Sequence, residues 1–345
     1  MDFRLTADEK ALRGAARSLL ARESPPSLAR ARYSDTAAPA AALWTAVTEA
    51  GWLGLLLAPE AGGLGLGVVE AALVCEEVGR ALAPVPVWET AALAAPLLAA
   101  GGGDAAAERL IGGARATAPT VPGEVTVGPG GRLSGALQLV PEAHLAELIV
   151  VPAGGTVWVV EAQAATLVTH DCLDRTRVLS DVVLDGTAAA TAGRLEADTL
   201  AHATATATVT LAAETLGTAR ALLDTTVAYV GVREQFGVPV GSFQAVAHKL
   251  ADVLVGLERA WAATYHAAMC LDARAPDAAR AVAVAAAATG DASRQAARDA
   301  VQCHGGIGYT WEHDLHLAVR RVYADEPLLG SSAQHRARLA DLLEV

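Results

Sequence analysis

The feature that most constrains this chain is a change of hydrophobic period, made twice. Over the first third, apolar residues recur at helical spacing, as in Leu12, Ala15, Ala16, Leu19 and Leu20. Between about Arg115 and Leu195 the period drops to two, and β-branched residues and glycines take over. From about Asp198 onward the helical period returns. The spacing therefore predicts an α+β chain, mostly α, in three consecutive blocks: a helical domain over 1–114, a β domain over 115–195 and a second helical domain over 196–345. A chain of 345 residues is too long for one ordinary core, which agrees with several packed modules.

Local signals fill in the blocks. Thr6 and Glu9 have the spacing of a capping box that opens the first helix. A second helix carries Trp44, Val47 and Ala50 and stops near Gly51. Residues 59–67 hold too many glycines for a helix interior and read as a loop. Helix resumes over 69–79 and 89–98. In the middle block, apolar runs at 148–151 and 157–160 flank Gly154-Gly155, a hairpin signal, and the block as a whole is expected to be antiparallel. Residues 199–232, 249–271 and 277–304 are expected as long helices, and 315–323 and 333–343 as shorter ones.

Composition narrows the function. The formal net charge of -12 argues against a nucleic-acid partner, which needs clustered Lys and Arg. It leaves an anionic ligand open, because helix ends and local cations can bind one. The four cysteines, Cys75, Cys172, Cys270 and Cys303, are far apart with no CxxC pair, so reduced thiols in the cytoplasm are the expectation. The N-terminus lacks the basic-then-apolar pattern of a signal peptide, and no stretch of about 20 residues is apolar and uninterrupted enough to span a membrane. The alanine-rich run 278–292 holds Arg280 and Asp291 and reads as a buried helix.

Two segments stand out. In the first, 233–252, Gly237, Pro239 and Gly241 end one long helix and delay the next, with Arg233 at the helix C-terminus where a cation is favoured. Taken alone, this is a helix–helix corner with Arg233 capping carbonyls. In the second, 302–314, Gly305, Gly306 and Gly308 let a ligand approach the backbone closely. His304, His313 and His316 lack a standard metal-ligand spacing and a Glu-x-x-His pairing, so no metal site is expected.

These two segments, about 60 residues apart by sequence count, resemble the acyl-CoA dehydrogenase family. So does the N-terminal run Gly51-Trp52-Leu53-Gly54, Pro59-Glu60, Gly62-Gly63-Leu64-Gly65 and Glu76-Glu77-Val78-Gly79-Arg80. The resemblance covers almost the whole chain. It implies an N-terminal helical domain, a small antiparallel β domain, here shortened, and a C-terminal four-helix bundle. It also implies FAD held between subunits, with a neighbour completing each site. The positions matching Arg233, Gln235, Phe236, Phe243 and Gln244 reach a neighbour's FAD, the arginine pairing with pyrophosphate. Those matching Gln302, Gly305 and Gly306 contact the same cofactor.

The remaining family positions depart from the pattern. The loop that holds the flavin ring corresponds to residues 117–124, where Thr117-Ala118-Pro119 stands for Thr-Glu-Pro and the Gly-Ser-Asp is lost. A second ring contact, Trp-Ile-Thr in the family, aligns with Leu139-Val140-Pro141. The reaction needs a carboxylate over the substrate α-carbon. The family places it just before a Gly-Thr, where this chain has Leu329-Gly330-Ser331, or on the long helix, at Ala207. Glu326 remains as a displaced candidate, with Pro327 biasing it away from helical geometry. Glu214 is expected to be solvated or at an interface.

The resemblance thus implies the base-lacking subunit of a heteromeric, heterotetrameric dehydrogenase. Its partners would be an acyl-CoA thioester, a homologous catalytic subunit and an electron-transferring flavoprotein. By analogy its acyl groups are steroid side chains or other bulky ones. Three alternatives stay open: a homo-oligomeric dehydrogenase with a relocated base, a flavin-dependent oxidase or monooxygenase on the same fold, and a flavin-free scaffold.

Overall fold

The computed structural model describes residues 4–38, 40–121 and 123–344. Ala7–Glu23 (α1) opens on the expected capping box: Thr6 Oγ1 accepts the Glu9 N–H at 3.2 Å, and Glu9 Oε2 accepts the Thr6 N–H at 2.6 Å. Pro26–Ser34 (α2), Ala41–Glu49 (α3) and Val68–Arg80 (α4) follow, with 59–67 between them as a loop holding one short 3-10 turn. A π turn, Glu89–Ala94, leads into Ala95–Gly101 (α5), and Asp104–Ile111 (α6) closes the first block. Helices α2 and α6 are absent from the sequence reading; each buries only two residues, too few to write a periodic stripe.

The middle block has eight strands: Ala116–Thr117 (β1), Glu124–Gly128 (β2), Arg132–Pro141 (β3), Leu148–Ala153 (β4), Thr156–Glu161 (β5), Thr166–Thr169 (β6), Leu179–Ala188 (β7) and Ala190–Arg194 (β8). They form two four-stranded sheets, ordered β1-β4-β5-β8 and β2-β3-β7-β6. The β4–β5 hairpin closes through Gly154-Gly155, both at positive φ, with Ala153 opposite Thr156. That is the two-residue turn the glycines allow. One correction applies: β1 pairs with β4 in parallel, so the block is not wholly antiparallel. The two-residue β1 arrives directly from α6 rather than through a hairpin, and only hairpins impose antiparallel pairing. Leu133, Leu137, Val140, Ile149, Val151 and Val182 fill the space between the sheets, while Leu148, Val150 and Val157 face the helical core.

The last block is a bundle of Ala197–Val232 (α7), Gln244–Asp272 (α8), Ala278–His304 (α9) and Leu315–Asp325 (α10), with Ser332–Leu342 (α11) against α9. The first block docks on it through α4 and α7, whose backbones touch. A Cβ at Gly79 would lie 1.9 Å from the Glu214 carbonyl oxygen, and one at Gly217 would lie 1.8 Å from that of Glu76. Only glycine permits that approach. Because α7, α8 and α9 alternate in direction, the end of α7, the start of α8 and the end of α9 meet at one end of the bundle. No helix among the described residues is long and apolar enough to cross a membrane.

Candidate functional site

All eight residues expected to contact a cofactor lie at that end of the bundle. Arg233 is the C-cap of α7, and its N–H donates to the Tyr229 carbonyl at 2.9 Å. A minimal hairpin follows, Glu234–Gln235 (β9) and Val238–Pro239 (β10), turning through Phe236 and Gly237 at φ of 54° and 80°. Phe236 is 93% exposed and meets Phe243 edge-on, at a centroid distance of 6.1 Å. A non-glycine aromatic held at positive φ in solvent is costly in an isolated chain. The Arg233 guanidinium is exposed and has no ion pair or hydrogen bond among the described residues. Gln244 begins α8, and Gln302 lies in the last turn of α9; both are exposed. Gly305 has φ 61° and ψ -138°, which a side chain would strain, whereas Gly306 is not at positive φ. A Cβ at either would meet nothing within 4 Å, so the backbone faces open space. Val240, Val246 and Cys303 share one apolar cluster with Tyr229, which holds the hairpin beside the end of α9.

The β-domain segments that resemble the flavin-ring contacts do come together, but their polar groups are spent. Thr117 is buried, and its hydroxyl donates to the Pro141 carbonyl at 2.6 Å. Leu139 sits exposed at φ 52° in a bulge of β3, with its N–H donating to Asp181 Oδ1 at 2.9 Å. Pro122 of the shortened loop lies outside the described residues.

Of the two places where the resemblance puts a base, one is interior and the other, Leu329, is half-buried against the same cluster. Ala207 is fully buried, and its carbonyl accepts the Trp88 indole N–H at 3.1 Å. Trp88, Ala207, Leu211, Leu328 and Leu329 belong to one packed cluster. The cavity beside Leu329 is about 30 Å³, lined by Leu211, Asp325, Glu326 and His335 among others. That admits about one water; a ligand pocket runs to roughly 300–1,000 Å³. Glu326 Oε1 accepts the Ser332 N–H at 2.8 Å, at the start of α11, and lies 3.7 Å from Arg294. Contrary to the bias expected from Pro327, Glu326 is helical, at φ -54° and ψ -42°. The Val322 carbonyl accepts its N–H and the α11 N-terminus holds its side chain, which together outweigh that bias.

The sequence reading missed a buried ion lattice next to this core. Arg177 donates to Glu89 and Glu214 at 2.8 Å each and to Asp325 at 2.5 Å. Arg321 donates to Asp174 at 2.5 Å, to Glu214 at 3.0 Å and to Thr176 Oγ1 at 2.8 Å. Glu214 is thus a correction: it is fully buried between two guanidiniums, in a stretch of α7 that α4 approaches closely, Gly79 against Glu214 and Gly217 against Glu76. Four carboxylates face two arginines, and Glu89 Oε2, Glu214 Oε2 and Asp325 Oδ2 have no hydrogen-bond partner among the described residues. Burial pushes the carboxyls of Glu89 and Asp325 up to about 7, against the pull of Arg177. The Arg177 guanidinium also lies over the Trp88 ring, 5.3 Å from its centroid, so the lattice fixes the indole that covers Ala207. The Arg-x-x-x-Asp spacing of Arg321 and Asp325, one helical turn in an otherwise apolar stripe, was the available signal.

The histidines behave as aromatic rings. His304 stacks on Tyr229 at 4.3 Å and meets His313 edge-on at 4.9 Å, while His316 packs on Trp311 at 4.3 Å. Among the described residues no three His, Cys, Asp or Glu are grouped to hold a metal ion, and all four cysteines are free.

Comparison with known proteins gives a consistent picture. Residues 6–115 match the acyl-CoA dehydrogenase N-terminal domain, and residues 200–343 match the acyl-CoA dehydrogenase C-terminal domain. The acyl-CoA dehydrogenase IpdE2 of Mycobacterium tuberculosis is 33% identical over 339 residues, 96% of this chain and 96% of that protein. Among solved structures, the Tcur3481-Tcur3483 steroid ACAD variant superposes with a TM-score of 0.88 at 28% identity over 98% of both chains. The ChsE4-ChsE5 complex of Mycobacterium tuberculosis superposes at 0.90 and 26% identity, over 100% of this chain and 99% of that one.

Proposed function

This chain belongs to the acyl-CoA dehydrogenase family, and we propose that within it the chain is the non-catalytic subunit of a heteromeric flavoenzyme. In this reading it completes an FAD site on a homologous catalytic partner and leaves the α,β-dehydrogenation of the acyl-CoA thioester to that partner. One observation carries the reading. Leu329 and Ala207 stand at the two base positions, with about 30 Å³ free beside Leu329. That volume is far below a ligand pocket, and the two carboxylates that line it, Asp325 and Glu326, are already held by Arg177 and by the Ser332 N–H.

The exposed end of the bundle supports the other half of the proposal. FAD supplies the hydride acceptor when bound; this chain's part is to hold it. Arg233 offers an unpaired guanidinium for a pyrophosphate, Gly305 and Gly306 offer open backbone, and Gln235, Phe236, Phe243, Gln244 and Gln302 surround them. The β-domain side does not fit a flavin ring in the same way, because Thr117 and Leu139 have already committed their donors. No step is assigned there. The two solved relatives, a steroid ACAD and a two-component complex, favour a bulky steroid-type acyl-CoA and a paired assembly. An electron-transferring flavoprotein is the expected acceptor. A homo-oligomer relying on Glu326 is disfavoured, since that carboxylate already caps α11 and faces Arg294.

The reading is tested by a pair of variants in the intact complex. Glu326→Gln in this chain should leave turnover within a few-fold, whereas replacing the aligned glutamate of the partner should abolish it. Loss of turnover in Glu326→Gln with flavin still bound would make this chain the catalyst.

A further inference from the structure

The two cofactor-reaching segments come from different helices, and something must set the distance between them. Arg233 ends α7, while Gly305 and Gly306 follow α9. Between them lies an aromatic stack. The His304 ring lies nearly parallel to Tyr229, 4.3 Å away and tilted by 16°, and His313 closes the other edge at 4.9 Å and 64°. His304 is 4% exposed, and its Nδ1 is 2.8 Å from the Ala300 carbonyl, which assigns the Nδ1 proton to that bond. Its Nε2 is buried without a hydrogen-bond partner among the described residues. A buried ring nitrogen left unsatisfied is unfavourable, so Nδ1 is the one polar atom that helps to hold the ring, and its stacked faces supply the rest.

Both ends of the stack lead directly to the cofactor-reaching groups. The Tyr229 carbonyl accepts the N–H of Arg233, and His304 is the residue before Gly305. His313 Nδ1 accepts the Leu315 N–H at 3.1 Å, tying the stack to the start of α10. We propose that Tyr229, His304 and His313 form a positioning clamp that sets the spacing of Arg233 relative to Gly305-Gly306. His304 and Tyr229 are therefore positioning residues for FAD, although neither is among the eight cofactor contacts. The inference rests on the reading of this chain as an FAD-site-completing subunit.

The test titrates the deflavinated complex, with its co-purified partner, with FAD. His304→Leu fills the volume without a flat ring and should weaken FAD binding roughly tenfold, the size of one lost aromatic pair. His304→Phe gives up the Nδ1 bond to Ala300 but keeps the ring, and should restore binding to about twofold of wild type if the ring faces set the spacing. In an Arg233→Ala background His304→Leu should cost much less, because the clamp acts through Arg233. A general loss of packing would give no such coupling and no rescue by Phe. If His304→Leu fails to assemble, Tyr229→Leu carries the same expectation from the opposite face. Wild-type FAD affinity in His304→Leu, alongside weak binding in Arg233→Ala, overturns the clamp and leaves the functional reading standing. Wild-type affinity in both overturns the clamp and the reading together.

Discussion

The end of the bundle and the interior beneath Trp88 are opposites. At the end, Phe236 stands 93% exposed on a hairpin turn, Arg233 has no counter-ion among the described residues and two glycines face open space. In the interior, an indole, a layer of leucines and an ion lattice leave a cavity of about 30 Å³. The first region is open to solvent. The second is already full. On the proposed reading one function is lost and the other retained, which is possible because the two regions sit on different surfaces with different demands. A reaching surface needs exposure and exact spacing, whereas a catalytic cleft needs an empty volume and a base.

The contrast can be broken first from the inside. Arg177 compensates Glu89, Glu214 and Asp325 at once. Arg177→Ala should destabilise the chain by about 3–5 kcal/mol, the cost of leaving buried charges unpaired. Chemical denaturation measures this, and an unchanged midpoint would show that the lattice does not hold the interior closed.

The outside is broken with less energy but more consequence for the cofactor. A charge-assisted contact is worth about 1.5–3 kcal/mol, so Arg233→Ala should weaken flavin retention roughly tenfold or more without lowering the melting temperature of the flavin-free chain. Gly306→Val should do the same by occupying the space the ligand needs. Gly305→Val is the poorer probe, because its backbone is strained by any side chain. Flavin content of the purified complex reads both, and unchanged content in Gly306→Val would make this turn purely structural.

The smallest effect sharpens the description of the lattice. The Glu89 and Asp325 carboxyls are held at about 7 in the folded chain, above their ordinary values of 4.5 and 3.8. The folded state therefore holds more protons than the unfolded one across that window. The stabilisation is complete at low pH and is lost as pH rises through about 7. The melting temperature should fall over that range, and Glu89→Gln or Asp325→Asn should flatten the profile. A melting temperature that rises across it contradicts the assignment of protons to these two groups.

Much of this was legible in the residues, for physical reasons that also explain the rest. The period changes near 115 and 195 report which faces are buried, so the three blocks and the long helices could be read directly. Gly154-Gly155 and the Thr6–Glu9 box are local rules and appear where the spacing puts them. The eight bundle-end residues could be named from two motifs, and the alternating helix directions bring them together. Helix α2 could not be read, because Ala29 and Arg32 are its only buried residues. Nor could the lattice. Arg177, Glu89, Glu214 and Asp325 are 37 to 148 residues apart along their hydrogen bonds, and a charge in a sequence is solvated by default until tertiary packing buries it. For the same reason Glu214 reads as a solvated or interface helix residue and Glu326 as a displaced candidate base, when one is buried between guanidiniums and the other caps α11.

The central claim is that this chain finishes a flavin site it does not own. The most direct measurement is flavin absorbance per chain, for the protein purified alone and for the protein purified with its partner subunit. The account predicts a colourless protein alone, and a yellow complex holding one flavin for each pair of chains. A chain that is yellow and oxidises an acyl-CoA thioester on its own would contradict it.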